Sequence, residues 1–271
     1  NLTMLRWFFE LAEDKEKRKK LFSRLFIEKE AVFEKHLSSY PVIFLTFKDI
    51  KENSFDEAFL SIKDLISEEF TRHAYLRDSE FLNDFQKNEF ELIMKRQADN
   101  FVYRRALKTL SGYLYKYHNK KVVVLIDEYD TPIHASFYYG YYEDCISFCR
   151  AFLGAGLKDN PDIFKGVITG ILRVAKESIF SGLNNLGVYT LLNNKFANKF
   201  GLTQMEVDKI LKDFSREDEM EGIRDWYDGY IFGKTKVYNP WSIINYIANI
   251  EDGFKPYWAN TASNEILREL F

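Results

Sequence analysis

The stretch KVVVLIDEYD, residues 121–130, places five consecutive aliphatic side chains, Val122 to Ile126, directly before acidic residues. A strand that is apolar on both faces is typical of the centre of a parallel sheet covered by helices. PVIFLTF (41–47) and FKGVITGIL (164–172) show the same apolar, β-branched character and are also predicted to be buried strands. Because helical patterns separate these three runs, the order of elements predicts an α/β core with a mostly parallel sheet.

The helices are predicted from capping signals and from apolar residues at helical spacing. Ser54 and Glu57 form a capping-box pattern that opens a helix extending to about His73. Asn239 followed by Pro240 is an N-cap with proline at the first helical position. Further helices are predicted at about 79–97, 100–117, 132–157 and, after a second capping box, 203–214, and a small hairpin is predicted around Gly233.

Composition excludes several classes of protein. The 38 Lys and Arg residues against 41 Asp and Glu give a net charge of −3, so there is no global electrostatic argument for nucleic-acid or membrane binding. Two cysteines, Cys145 and Cys149, exclude a disulfide-rich scaffold, and their spacing suits two buried thiols on one helix face better than a redox pair. No apolar run approaches the roughly 18 residues of a membrane span, and no signal peptide is recognisable, so a cytoplasmic location is expected.

The acidic pair Asp127–Glu128 is the strongest chemical signal. In open α/β sheets, ligands bind at the carboxyl ends of the strands, where this pair falls. Aliphatic residues followed by Asp-Glu are the Walker B pattern, in which the first carboxylate holds Mg²⁺, usually through water. The second carboxylate can polarise the attacking water as a general base. The alternative is a buried strand that merely ends in solvated acids.

Two further polar residues follow the strand at 164–172. Thr169 lies near its end and Arg173 just past it, where P-loop ATPases place groups close to the γ-phosphate. A core threonine and a surface arginine are the alternatives on spacing alone.

No GxxxxGK[ST] loop occurs in the chain. GYIFGKT (229–235) is one residue too short between its glycines, and a hairpin turn explains it better.

Several segments together resemble the AAA-ATPase-like family of prokaryotic P-loop NTPases, in collinear order over nearly the whole chain. The segments are PVIFLTFKDIKENSFDEA (41–58), VVVLIDEYDTPIHASFYYGYY (122–142), VITGILRVAKESIFSGLNNL (167–186), WYDGYIFG (226–233), VYNPWSIINYI (237–247) and PYWANTASNEIL (256–267).

The resemblance implies a domain organisation. It implies an ASCE-type P-loop core over residues 1–175, lacking its first strand, and a mainly helical, winged-helix-like lid over residues 176–271. In the family, a Walker A loop ending in GKT runs into a helix beginning like NLTMLRWFFE, so Asn1 is expected to follow that loop. Many members carry a further domain resembling the PD-(D/E)XK nucleases, which is expected beyond Phe271.

The resemblance also implies roles for single residues. Asp127 matches the Mg²⁺ residue, and Glu128 matches the catalytic base. Thr169 and Arg173 match nucleotide-binding positions, and Arg173 also matches a catalytic one. Asp130 lies in the family's DEYDxPI string, where it either fixes the loop or reaches the second Mg²⁺ shell.

The function implied is Mg²⁺-dependent ATP hydrolysis that switches the lid and any attached domain in the intact protein. The 271 residues alone are expected to bind ATP poorly and not to hydrolyse it.

One alternative is a nucleotide-gated scaffold without turnover, working through a protein partner or homo-oligomer. A second is a metal-dependent nuclease using Asp127, Glu128 and Asp130, which is disfavoured because no lysine follows at the ExK spacing. No membrane or direct nucleic-acid partner is expected.

Overall fold

The computed structural model describes residues 2–171 and 186–258. The chain divides into two compact units, Asn1–Leu186 and Gly187–Phe271. The elements of the first unit are α1 (Leu2–Phe9), α2 (Lys15–Lys20), α3 (Phe33–His36), β1 (Val42–Thr46), α4 (Phe55–Arg72), α5 (Asp84–Met94), α6 (Asn100–His118), β2 (Val122–Asp127), α7 (Thr131–Tyr139), α8 (Tyr142–Leu157) and β3 (Ile163–Ile168). Those of the second unit are α9 (Gln204–Asp213), α10 (Met220–Tyr227), β4 (Asp228–Phe232), β5 (Thr235–Tyr238) and α11 (Pro240–Ala248).

The three strands of the first unit form a parallel sheet, as the sequence predicts, and the structure orders them β1-β2-β3. Val42 pairs with Val123 and Thr46 with Asp127, so β1 and β2 end at the same level. Ile126 pairs with Ile168 at the end of β3. The carboxyl ends of all three strands therefore meet at one edge of the sheet.

Helices cover both faces of this sheet. Residues Val122 to Ile126 of β2 are fully buried, because their side chains alternate between two hydrophobic clusters. On one face Val124 packs with side chains of α4, α6 and α8. On the other face Val123 and Leu125 pack with Leu2 of α1. The prediction that the run at 121–130 forms a central strand is confirmed.

The strand at the end of the first unit departs from its prediction. β3 covers Ile163–Ile168 rather than 164–172, and Phe164, Lys165 and Gly166 are exposed. The predicted strand is present but shorter, and the prediction that it is buried was wrong. In the described part of the sheet β3 is an edge strand, and apolar residue types alone do not distinguish an edge strand from a central one.

The long helix predicted at 132–157 is two helices. α7 ends at Tyr139, and Gly140 adopts a left-handed backbone with φ of +81° that turns the chain into α8. Glycine has no Cβ and adopts this conformation without steric cost, which makes it the usual residue after a helix end. The helix predicted at 79–97 is also shorter, because α5 begins after an Asn83 cap.

The outer edge of β1 is closed by side chains of α4. The Phe44 N–H donates to Glu69 Oε1 at 2.9 Å. The Val42 carbonyl accepts hydrogen bonds from Arg72 and from His73 Nε2. Arg72 also pairs with Glu69 and with Glu10 at the end of α1. Polar groups of an edge strand that would otherwise need water or another strand are therefore satisfied within the unit.

The second unit has its own small hydrophobic core, formed by side chains of α9, α10, β5 and α11. β4 and β5 pair antiparallel around Gly233, which confirms the predicted hairpin. Asn239 caps α11 by accepting the Trp241 N–H, as its sequence predicts.

The predicted boundary after residue 175 lies outside the described residues, and the winged-helix-like lid stays a prediction. Within the described ranges, no helix combines the length and apolarity needed to cross a membrane.

Candidate functional site

The candidate site lies at the carboxyl ends of the three parallel strands. Asp127 is the last residue of β2, and its carbonyl accepts the Phe47 N–H at 3.0 Å. Thr169 follows β3, and its N–H donates to the Ile126 carbonyl at 2.9 Å. The backbone ladder thus continues past the strand ends and holds the segments after β1 and β3 on either side of Asp127.

Two residues predicted from separate strands meet here. The Thr169 hydroxyl donates a hydrogen bond to Asp127 Oδ1. Asp127 is half-buried and Thr169 is exposed, so the Asp127 carboxylate is oriented by a protein hydroxyl while the site remains open to solvent. A carboxylate and a hydroxyl are oxygen groups of the kind that Mg²⁺ prefers.

The neighbouring Glu128 occupies an unusual backbone conformation. Its φ is +50°, in the left-handed region that costs a non-glycine residue about 1–2 kcal/mol. The Thr131 N–H donates to its carbonyl at 3.1 Å, and the Thr131 hydroxyl lies 3.4 Å from Glu128 Oε2. These contacts with the start of α7 hold the turn in this conformation.

Asp130 lies beneath this turn. Its side chain is fully buried, and its Oδ2 is 3.1 Å from Nε2 of His134, one turn along α7. Gly170 lies directly against it, because a Cβ at Gly170 would come within 2.6 Å of Asp130 Oδ1. The neighbouring Tyr129 N–H donates to the Thr169 carbonyl at 3.1 Å. Asp130 therefore packs between the first turn of α7 and the segment after β3.

The two cysteines lie under α7. Both thiols are buried on α8, which confirms the prediction of two buried thiols on one helix face. The Cys145 thiol points to the Pro132 carbonyl, with its sulfur at 3.5 Å from the oxygen. The hydrogen bond between the thiols lowers the pKa of Cys145 and raises that of Cys149. Both side chains are part of the hydrophobic core of the first unit.

The structure describes three of the four predicted site residues. Asp127, Glu128 and Thr169 are brought together at one edge of the sheet, whereas Arg173 lies outside the described residues. Across residues 2–171 and 186–258, no cluster of three or more His, Cys, Asp or Glu side chains could hold a metal on its own. Sequence reasoning missed His134, although Asp130 lies four residues before it, just ahead of the helix predicted from residue 132.

Comparisons with known proteins agree with this architecture. The family model described as "Predicted AAA-ATPase" (AAA-ATPase-like) matches residues 1–180 of the 271. A protein of Azotobacter chroococcum mcd 1, described as "Uncharacterized protein in vnfD 5'region", is 30% identical over 152 residues. That match covers 56% of this chain and 29% of the relative, and no solved structure matches. With the family model spanning about two thirds of its length, the chain belongs to the AAA-ATPase-like family.

Proposed function

We propose that this chain provides the magnesium-binding and water-activating side of an ATP site, and that the protein containing it hydrolyses ATP to ADP and phosphate. The observation that carries the proposal is the hydrogen bond from Thr169 to Asp127 Oδ1 across the ends of β2 and β3, beside the strained Glu128. Family membership supports the same chemistry.

Asp127 would hold Mg²⁺ through water. Its carboxylate is half-buried and one oxygen accepts a protein hydroxyl, which leaves the other available to a hydrated cation. Mg²⁺ in such sites usually keeps several waters and takes the remaining ligands from one or two carboxylates and from substrate phosphates. When bound beside Asp127, Mg²⁺ would supply positive charge that neutralises the phosphates.

Glu128 would act as the general base. It follows Asp127 directly, and the left-handed backbone directs its side chain differently from that of a continuing strand residue. The Thr131 hydroxyl lies 3.4 Å from Glu128 Oε2, which supports a fixed orientation of this carboxylate. Thr169 and Arg173 would lie near the γ-phosphate, with Arg173 stabilising charge in the transition state.

The remaining parts of the proposal concern the whole protein. Residues 1–175 would form the core and residues 176–271 a winged-helix-like lid that responds to hydrolysis. The chain matches only 29% of the length of its curated relative. A Walker A loop, a nuclease-like domain, and protein partners or self-association are therefore proposed for the longer protein, in the cytoplasm.

The test is turnover by the full-length protein carrying Glu128→Gln. We expect phosphate release to fall about a hundredfold or more, because a positioned base contributes that much, while ATP binding is retained. Glu143→Gln, an exposed glutamate in the first turn of α8, is the matched control and should leave turnover unchanged.

Other outcomes would point elsewhere. Unchanged turnover in Glu128→Gln contradicts the proposal. ATP binding without phosphate release by the unsubstituted protein favours the non-hydrolysing scaffold, and Mg²⁺-dependent DNA cleavage by this chain favours the nuclease.

A further inference from the structure

Asp130 is a buried carboxylate that the proposed chemistry does not use. It is 0% exposed, whereas Asp127 and Glu128 on the same turn are half-buried at the site. Burying a carboxylate is costly unless hydrogen bonds and neighbouring charges compensate. Its position beneath the turn therefore calls for a role tied to its contacts.

The first contact is with the segment that follows β3. Gly170 packs against Asp130 so closely that a Cβ there would lie 2.6 Å from Oδ1 and 2.8 Å from Cγ. The residue before Gly170 is Thr169, whose hydroxyl donates to Asp127. The Asp130 side chain thus sets how near the Thr169–Gly170 segment can come to the end of β2.

The second contact is with His134. Its Nε2 lies 3.1 Å from Asp130 Oδ2, and its backbone N–H donates to the Asp130 carbonyl at 2.9 Å. His134 is 24% exposed at its side chain, so the ring spans from the buried carboxylate toward solvent. The His134 ring therefore contacts Oδ2 of Asp130, while Oδ1 of the same carboxylate faces Gly170.

We propose that Asp130 and His134 are a positioning pair, which places the segment after β3 so that Thr169 can orient the Asp127 carboxylate. The pair acts through Thr169 and touches neither nucleotide nor metal. The inference rests on the proposed function for its metal readout, but the pair itself can be tested in the metal-free protein.

The metal readout is the affinity for Mn²⁺, followed by electron paramagnetic resonance in the full-length protein with ADP. Thr169→Val should weaken Mn²⁺ binding about tenfold or more, as loss of a partner that orients a metal-binding carboxylate usually does. His134→Ala should weaken it about threefold or more, and His134→Gln, which keeps an N–H donor, should restore most of the loss. The double variant of Thr169→Val and His134→Ala should bind no more weakly than Thr169→Val alone.

A matched control comes from α4. His73 and Glu69 are also a buried His–carboxylate pair at i, i+4, with 3.5 Å between His73 Nε2 and Glu69 Oε1. They contact the amino-terminal half of β1, away from the strand ends that carry the site. His73→Ala should lower stability without changing Mn²⁺ affinity, which separates positioning from general loss of structure.

The second readout uses no metal or nucleotide. In ¹⁵N-histidine spectra the ring of His134, assigned by its loss in His134→Gln, should carry a proton on Nε2. Its resonances should shift in Asp130→Asn and stay in place in His73→Gln. A His134 ring without a proton on Nε2 overturns the pair.

The outcomes separate the two proposals. Unaltered Mn²⁺ affinity in Thr169→Val overturns the positioning proposal, because the pair acts through Thr169, and it leaves the proposed role of Asp127 untouched. If Thr169→Val lowers the Mn²⁺ affinity but His134→Ala does not, the positioning proposal alone is overturned. The same holds if the losses of Mn²⁺ affinity in the two single variants add up in the double variant. Absence of Mn²⁺·ADP binding by the unsubstituted full-length protein contradicts the proposed function, and the histidine spectra of the metal-free protein then decide the pair by themselves.

Discussion

At the scale of single residues, the candidate site depends on how closely the backbone of one strand end approaches the side chains of another. Gly170 lies against both Asp130 and Tyr129, and Thr169 beside it reaches Asp127. A Cβ at residue 170 would collide with the side chains of Asp130 and Tyr129. The close approach of the Thr169–Gly170 segment to Asp130 therefore depends on the absence of a Cβ at residue 170.

Gly170→Ala tests this close approach. The added Cβ would lie 2.6 Å from Asp130 Oδ1 and 2.7 Å from Tyr129 Cε1, and we expect it to cost about 1–3 kcal/mol of unfolding free energy. Urea unfolding measures the change. Gly154→Ala in α8 is the control: nothing lies within 4 Å of its Cβ, and alanine in a helix should stabilise by about 0.5–1 kcal/mol. Equal midpoints for Gly170→Ala and the unsubstituted chain would contradict the expectation.

At the scale of elements, α4 closes the outer edge of β1 with charged side chains. Burial alone would raise the pKa of Glu69, but hydrogen bonds from His73 and Arg72 outweigh it and hold the pKa below its ordinary 4.5. A carboxylate with a depressed pKa stabilises the fold above pH 4.5, and this contribution is lost as the pH falls through the folded-state pKa. The contribution of Glu69 to the free energy of unfolding should therefore decrease in acid.

Glu69→Gln should make the protein less stable at neutral pH by about 1–3 kcal/mol, because Arg72 loses its buried partner. It should also flatten the fall in stability below pH 4.5, since the titrating group is gone. Thermal unfolding across pH 3–7 measures both effects. Glu91→Gln removes the exposed pair between Glu91 of α5 and Lys95 just after that helix, so it should change neither the stability at neutral pH nor its pH dependence much. A pH dependence in Glu69→Gln as steep as in the unsubstituted chain would count against this account.

At the scale of the whole molecule, the two units have separate hydrophobic cores. The larger core is built on the parallel sheet and contains Ile62 of α4. The smaller is formed by the helices and hairpin of the second unit and contains Ile243 of α11. Both isoleucines are fully buried, so each reports on its own core.

Ile62→Ala and Ile243→Ala should each cost about 2–5 kcal/mol, since each leaves a cavity in a close-packed core. Hydrogen exchange followed by mass spectrometry should show faster exchange in the first unit for Ile62→Ala and in the second unit for Ile243→Ala. The two substitutions are chemically identical, so each serves as the other's control. Faster exchange in both units from either substitution would show that they unfold together.

The sequence by itself determined the parallel sheet, its central strand, the acids at that strand's end and the hairpin around Gly233. These follow from local patterns: runs of aliphatic residues, capping residues and turn residues act over a few positions. It also placed Thr169 near the end of a strand. Only the tertiary structure decided that Thr169 meets Asp127 and that β3 is exposed.

The reason is that these features depend on which segments become neighbours. A threonine's partner, an edge strand and the burial of Asp130 against Gly170 are set by contacts between residues distant in sequence. Local periodicity carries no information on such contacts, because the same apolar run suits a central or an edge strand. The chemistry could thus be located on the chain from its residues, whereas the geometry that joins Asp127, Thr169 and Asp130 arises only when the strands come together.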